Sequence, residues 1–173
     1  MDDISLILTK PPFEKLLHDI PPMQPGQMWP KTLILNLRGT LVNSEYKFGE
    51  GFEYRKRPGL KIFLDRLSQM YEVVIFGDEE STSVNELCEA LDPQMRIFSG
   101  RLGHEHTLVK DGHYIKDLSY MNRDINRIVV VEVDDEKVAY HKDNCIVIPE
   151  WDGSKEDRAL IDLLPFLEHL AAP

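Results

Sequence analysis

Two cysteines among 173 residues are too few, and too far apart, to staple a fold. Cys88 and Cys145 show no metal-type spacing, which excludes a disulfide scaffold and argues against zinc held through cysteine. No run approaches the ~20 apolar residues of a membrane-spanning helix, so no span is expected. Bases are also scarce: 20 Lys and Arg stand against 30 Asp and Glu, for a net charge of -10. That balance argues against nucleic-acid phosphates and anionic membranes as partners, and for a cationic partner or none. Met1-Asp2-Asp3 is acidic where the positive n-region of a signal peptide belongs, so no signal peptide is expected. What is present is ordinary for a globular domain: 42% hydrophobic and 29% charged residues. A chain of this size buries roughly 70% of its unfolded surface and needs no metal or disulfide to do so.

Six of the eleven prolines fall in the first thirty residues (Pro11, Pro12, Pro21, Pro22, Pro25, Pro30). Residues 1–30 therefore read as an extended arm outside the core, and residues 31–173 as one domain. From Lys31 onward four apolar runs recur: Leu33-Ile34-Leu35, Val73-Val74-Ile75-Phe76, Ile128-Val129-Val130-Val131 and Ile146-Val147-Ile148. Unbroken runs of this kind fit strands buried on both faces, hence a parallel sheet. Helical stripes lie between them. One carries Leu60, Phe63, Leu64 and Leu67 after Pro58 as first helical residue; a second carries Val84, Leu87, Cys88 and Leu91. The third carries Leu160, Leu163, Leu164 and Leu167, with a cap expected at Ser154 and a kink or break at Pro165. Strand–helix alternation predicts an α/β fold.

Two hairpins are expected to interrupt this alternation. Asp111-Gly112 is the signature of a type I′ turn. The other hairpin centres on Gly49-Glu50-Gly51, with Phe48 opposite Phe52, Tyr46 opposite Tyr54, and all four on one face. This ribbon either packs on its own domain or protrudes to meet a partner, with Arg55-Lys56-Arg57 at its base.

Chemistry in open parallel sheets sits at the carboxyl ends of the strands. The first strand ends Leu35-Asn36-Leu37-Arg38-Gly39-Thr40. That spacing resembles the first motif of the haloacid-dehalogenase phosphatases, Asp-x-Asp-x-Thr, whose first Asp is nucleophile and magnesium ligand and whose second is the general acid/base. Asn36 is a neutral amide, and Arg38 has no exchangeable proton to give. The later motifs fit unevenly. Gly77 stands where Ser or Thr is wanted, Lys116 fits the lysine, and Glu132 is one acid where a pair is wanted. Loss of the nucleophile alone costs many orders of magnitude in rate, so no catalysis, metal or cofactor is expected. For Arg38 the sequence leaves two readings: a guanidinium filling the vacated metal position and paired with Glu132, or a solvated surface arginine. Lys116 is expected to hydrogen-bond strand-end carbonyls or Glu132.

Longer stretches carry a more specific likeness. These are Lys56-Arg57-Pro58-Gly59, Leu67-Ser68-Gln69-Met70-Tyr71-Glu72-Val73-Val74, Leu91-Asp92-Pro93, the run from Ile115-Lys116-Asp117 to Arg123-Asp124, Trp151-Asp152-Gly153, and Leu163-Leu164-Pro165-Phe166-Leu167-Glu168. From Lys31 to Leu170 the chain resembles the presequence-receptor subunit of the mitochondrial inner-membrane translocase, a relative of the small C-terminal-domain phosphatases. The resemblance implies a Rossmann-like, haloacid-dehalogenase-type parallel sheet flanked by helices, with two hairpin insertions. It implies a domain in the intermembrane space, joined in the whole protein to a membrane anchor and targeting segment that this chain lacks. It implies a non-enzymatic receptor that catches presequences and hands them to the channel, which it also helps keep closed. A protruding hairpin then contacts the channel subunit, through Tyr46, Phe48, Phe52, Tyr54, Arg55, Lys56 and Arg57. The alternatives are a Ser/Thr phosphatase with a degenerate site and a pseudophosphatase scaffold elsewhere in the cell.

The charge pattern agrees with a receptor for basic amphipathic helices, which needs an apolar groove with an acidic rim. Residues 78–92 hold six acids and no base; residues 131–157 hold nine acids and three bases. Both stretches begin where an apolar strand ends, so both should lie on one edge of the sheet. The expected presequence-binding acids are Asp78, Glu79, Glu80, Glu86, Glu132, Asp134, Asp135 and Glu136, against the plain reading of solvated helix faces. His104, His106 and His113 read as surface histidines rather than metal ligands. Asn144 reads as turn chemistry.

Overall fold

The computed structural model describes residues 14–173, with the side chains of residues 45–47 and 52 outside that description. Pro11 and Pro12 lie outside the described residues. The strands are β1 (Thr32–Leu35), β2 (Val42–Lys47), β3 (Gly51–Lys56), β4 (Glu72–Phe76), β5 (Phe98–Leu102), β6 (Leu108–Lys110), β7 (His113–Ile115), β8 (Ile128–Glu132) and β9 (Cys145–Val147). The helices are α1 (Leu60–Leu67), α2 (Ser81–Leu91) and α3 (Ala159–Leu170). The central sheet runs β5-β4-β1-β8-β9 with every pairing parallel. The four apolar runs are four of its five strands.

Strand alternation sends successive residues to opposite faces, and each face has its own core. Leu33, Leu35, Val73, Ile75, Val129 and Val131 pack with Phe63, Leu64, Leu67, Val84, Leu87, Leu160, Leu164 and Leu167 of the three helices. Ile34, Val74, Phe76, Ile128 and Val130 pack instead with Leu17, Leu118, Met121 and Val138. Helices thus flank one face. Among the described residues, short 3₁₀ turns, half-buried Leu16 and one buried leucine of the arm cover the other.

That leucine corrects the expectation of an arm outside the core. Leu17 is buried on the sheet, against Gly100 of edge strand β5, where a Cβ would lie 2.9 Å from Leu17 Cδ2. Three backbone ties hold it there: Leu16 N–H to Tyr120 O at 2.8 Å, Asn122 Nδ2 to Leu17 O at 3.2 Å and Arg123 Nη1 to His18 O at 2.8 Å. Arg123 also forks onto Glu72 at the start of β4, with both bonds at 2.8 Å. Proline content describes residues 20–30, which are mostly exposed, but not Leu16-Leu17.

Helix ends differ from expectation for local reasons. Helix α1 starts at Leu60, after Gly59 at φ 81, where a Cβ would lie 2.6 Å from Ile161 Cγ1. Helix α3 starts at Ala159, whose N–H is accepted by Asp157 rather than by Ser154. It continues through Pro165, which is exposed, so the carbonyl left without a helical donor faces solvent. The Asp111-Gly112 turn is as expected, with φ 51 and φ 78. The first hairpin pairs two residues out of the expected register, which moves its centre by one residue. Tyr46 pairs Phe52 and Ser44 pairs Tyr54, while Phe48 lies in the turn and is 98% exposed. Gly49 and Gly51 both sit at φ 82, so the reversal closes over residues 48–50.

Arg57 ties this hairpin to the domain from inside. It is 1% exposed, and its guanidinium donates to Asp157 at 2.8 and 3.1 Å and to the carbonyls of Gly39, Thr40 and Pro149. It is therefore unavailable to a partner; Arg55 and Lys56 beside it are exposed. The Arg57 hydrogen bonds hold the Asp157 carboxyl below its ordinary value of 3.8. The pair's stabilisation is therefore present above about pH 3.8 and is lost as pH falls through the lowered value. Arg57→Ala strands a partly buried carboxylate and unpaired carbonyls, and should cost about 3 to 5 kcal/mol in denaturant unfolding at pH 7. Asp157→Asn should be destabilised at pH 7 and converge on the wild type in strong acid.

Candidate functional site

The parallel sheet brings Asn36, Gly77 with Asp78, and Glu132 together at the carboxyl ends of β1, β4 and β8. The turn after β7 supplies Lys116, whose own N–H donates to Lys137 O at 2.7 Å. The Lys116 side chain is 2% exposed and its ammonium has three oxygen partners. Glu132 Oε2 is at 2.9 Å, Asp78 Oδ1 at 3.0 Å and Asn36 Oδ1 at 3.4 Å. The Phe76 ring lies below, its centroid 5.5 Å from Nζ. The Asn36 amide is used at both ends: Nδ2 donates to Arg38 O at 3.1 Å and to Thr40 Oγ1 at 3.3 Å. A Ser or Thr at position 77 would crowd this edge, since a Cβ there lies 2.6 Å from Glu79 Oε2 and 2.8 Å from Val84 Cγ2.

Lys116, not Arg38, is the cation between the acids. Arg38 is 39% exposed and points the other way, with Nε 3.5 Å from Glu79 Oε1 and Nη2 donating to Tyr54 Oη at 3.3 Å. Of the two readings left open for Arg38, the pairing with Glu132 is not the one found, and Lys116 holds Glu132 instead. Glu132 also leaves the expected acidic rim: it is 1% exposed and its second oxygen accepts the Val133 N–H at 3.2 Å. Burial pushes the Glu132 carboxyl above its ordinary value, and the Lys116 ammonium opposes that push without cancelling it.

The remaining acids divide by exposure. Glu80 just before α2, Glu86 on α2, and Asp134 and Glu136 beyond β8 are exposed. Asp135 is half-buried, and Lys142 pairs with both Asp135 and Glu136. Asp134 caps the 3₁₀ turn that follows it by accepting the Glu136 N–H at 3.0 Å. A cleft of about 370 Å³ opens between these acids and the second hairpin. Tyr114, Ile115 and Ala139 give it apolar walls, and Asp111, Asp134 and Glu136 give it carboxylates. Lys110, His113 and Lys137 also line it. The sequence did not single out this cleft, because its walls come from two separate stretches, the second hairpin and the 3₁₀ turn after β8.

Residues 31–173 match the family described as NLI interacting factor-like phosphatase. The chain belongs to that family. It is also similar to the mitochondrial import inner membrane translocase subunit tim50 of Emericella nidulans, at 39% identity over 99% of this chain and 31% of that protein. The human translocase subunit TIM50 is 36% identical over 98% of this chain and 47% of that protein. The chain thus spans less than half the length of these curated relatives. Among solved structures it resembles the RNA polymerase II CTD phosphatase Fcp1, at TM-score 0.61 and 16% identity over 79% of this chain and 49% of that one. A fission yeast Fcp1 variant bound to beryllium fluoride gives TM-score 0.59 and 16% identity over 82% and 50%. These structures share the fold.

The magnesium ion of the family's phosphatase motif is a poor fit to the residues present. A divalent ion needs carboxylate oxygens free to turn toward it. Here the Asn36 oxygen and one oxygen each of Asp78 and Glu132 all face an ammonium. Lys116→Met removes that ammonium and leaves Glu132 buried and unpaired. It should cost about 3 to 5 kcal/mol in denaturant unfolding at pH 7, with the loss shrinking as pH falls and Glu132 takes up a proton. Adding Glu132→Gln should recover much of the loss.

Proposed function

We propose that this domain is a non-enzymatic receptor of a mitochondrial inner-membrane import translocase, which binds basic amphipathic presequences. In this reading it faces the intermembrane space and docks on the channel subunit through the β2–β3 ribbon. The observation that carries the reading is the amide of Asn36 at the end of β1, held by Lys116, Arg38 O and Thr40 Oγ1 where phosphoryl transfer needs a carboxylate nucleophile. Asn36 and Arg38 supply neither the carboxylate nor the proton. The similarity to proteins named as import translocase subunits supports the cellular role. The exposed acids Glu80, Glu86, Asp134 and Glu136 support a cationic ligand at the same edge. Exposed Phe48 and Tyr54, with Arg55 and Lys56, support a protein contact on the ribbon.

The test is titration of a fluorescent basic amphipathic peptide at ~50 and ~300 mM salt, where screening lengths differ by more than twofold. Saturable binding that weakens with salt is expected. A control peptide of equal charge and scrambled apolar face should bind far more weakly. Equal binding of both peptides would reduce the acids to a nonspecific field. A generic phosphate ester should release no phosphate with or without magnesium, and magnesium-dependent turnover abolished by Asn36→Ala would overturn the reading.

A further inference from the structure

Arg38 has a position that neither a surface arginine nor a metal substitute explains. Its guanidinium bridges two separate parts of the domain. On one side Nη2 donates to Tyr54 Oη at 3.3 Å, and the guanidinium carbon lies 5.7 Å from the Tyr54 ring centroid. Tyr54 belongs to β3, on the ribbon. On the other side Nε faces Glu79 Oε1 at 3.5 Å, in the loop between β4 and α2. Glu79 is itself fixed, because its carbonyl accepts the His104 N–H at 2.8 Å. The ribbon's root is held by backbone bonds, Gly39 N–H to Val42 O at 2.8 Å and Arg57 N–H to Leu41 O at 2.9 Å. Beyond the root, residues on opposite faces of β3 meet opposite supports: Tyr54 meets Arg38, and Arg55 lies against Gly153.

We propose that Arg38 is a strut that fixes the angle at which the β2–β3 ribbon leaves the domain, and that Glu79 makes this strut sensitive to cationic ligands. Glu79 is the strut's anchor, and its side chain is 13% exposed. Oε2 is enclosed, so a lysine or arginine of a bound segment competes with Arg38 for this carboxylate rather than adding to it. A ligand that draws on Glu79 weakens its hold on Arg38, and Arg38 then no longer braces Tyr54. By linkage the effect is reciprocal: a partner that holds the ribbon at another angle changes affinity at the edge. The strut itself is independent of the receptor reading; the ligand coupling rests on it.

The test uses two spin labels, at Phe48→Cys on the ribbon tip and at His169→Cys on α3, in a chain carrying Cys145→Ser. Burial pushes the remaining Cys88 thiol up to about 12, so it stays unlabelled. The wild-type background should give a narrow distance distribution. Arg38→Ala and Glu79→Gln should each broaden it, and Arg38→Lys, which reaches Glu79 but cannot fork onto Tyr54, should fall between. Thermal midpoints should change little, which separates a strut from general destabilisation. An unchanged distribution in Arg38→Ala overturns the strut. A basic amphipathic peptide should broaden the distribution of the parent chain and leave that of Glu79→Gln as it was. A peptide that binds without broadening overturns the coupling alone, and one that fails to bind overturns the receptor reading while the strut variants still decide the strut.

Discussion

An ammonium group held almost out of water is the constraint around which the carboxyl edge is built. Lys116 answers to Asn36 after β1, Asp78 after β4 and Glu132 at the end of β8. Three adjacent strands therefore end on one nitrogen. Such a cluster is weak evidence for stability, because taking charges out of water costs about as much as their attraction returns. The direction at Glu132 agrees: burial pushes its carboxyl up even with a cation at 2.9 Å. What the cluster does supply is specificity. Each partner would be stranded if the strands ended in another order, so one arrangement of β1, β4 and β8 is strongly preferred.

Two arginines complete the arrangement in different ways. Arg57 is enclosed and satisfies carbonyls of two loops as well as Asp157, so its planar fork is used in nearly every direction. Arg38 is half-exposed, with one weak contact on each side. The first fixes where the ribbon starts and the second bears on how it stands. Contacts at 3.3 and 3.5 Å can be exchanged for others in a way that the enclosed fork cannot.

The sequence made the central strands and the helical stripes legible, because burial on both faces leaves no room for polar residues. Strand β5 was hidden because it is an edge: Phe98-Ser99-Gly100-Arg101-Leu102 has little β-branched content, and its glycine serves Leu17. Leu17 was hidden in turn by the prolines around it, since composition averages over neighbours that have different surroundings. The site residues were legible through their spacing, but their partners were not. Arg55-Lys56-Arg57 reads as a uniform basic patch, yet Arg57 alone faces inward, and strand alternation could not say which residue because β3 ends at Lys56. Glu132 was legible as the partner of Lys116 and illegible as a residue lost to the rim. Both follow from its place as the last residue of a strand buried throughout.

The charges at this edge also explain why Asn36 and Arg38 belong together. Relative to the Asp-x-Asp spacing they resemble, Asn36 removes one negative charge, and Arg38 removes another and adds a positive one. Losing a divalent cation changes the balance by a similar amount in the opposite direction. A site with both aspartates and no metal would place those charges beside Asp78, Glu79 and Glu132, with Lys116 as the sole counterion described among them. Like charges at such separations do not all ionise. With the two substitutions, Lys116 faces two acids and an amide, Arg38 faces Glu79, and the edge keeps a modest negative excess. An excess of this sign favours a cationic neighbour. The substitutions that take a carboxylate and a proton donor out of the motif are in this sense the same ones that lower the negative charge at this edge.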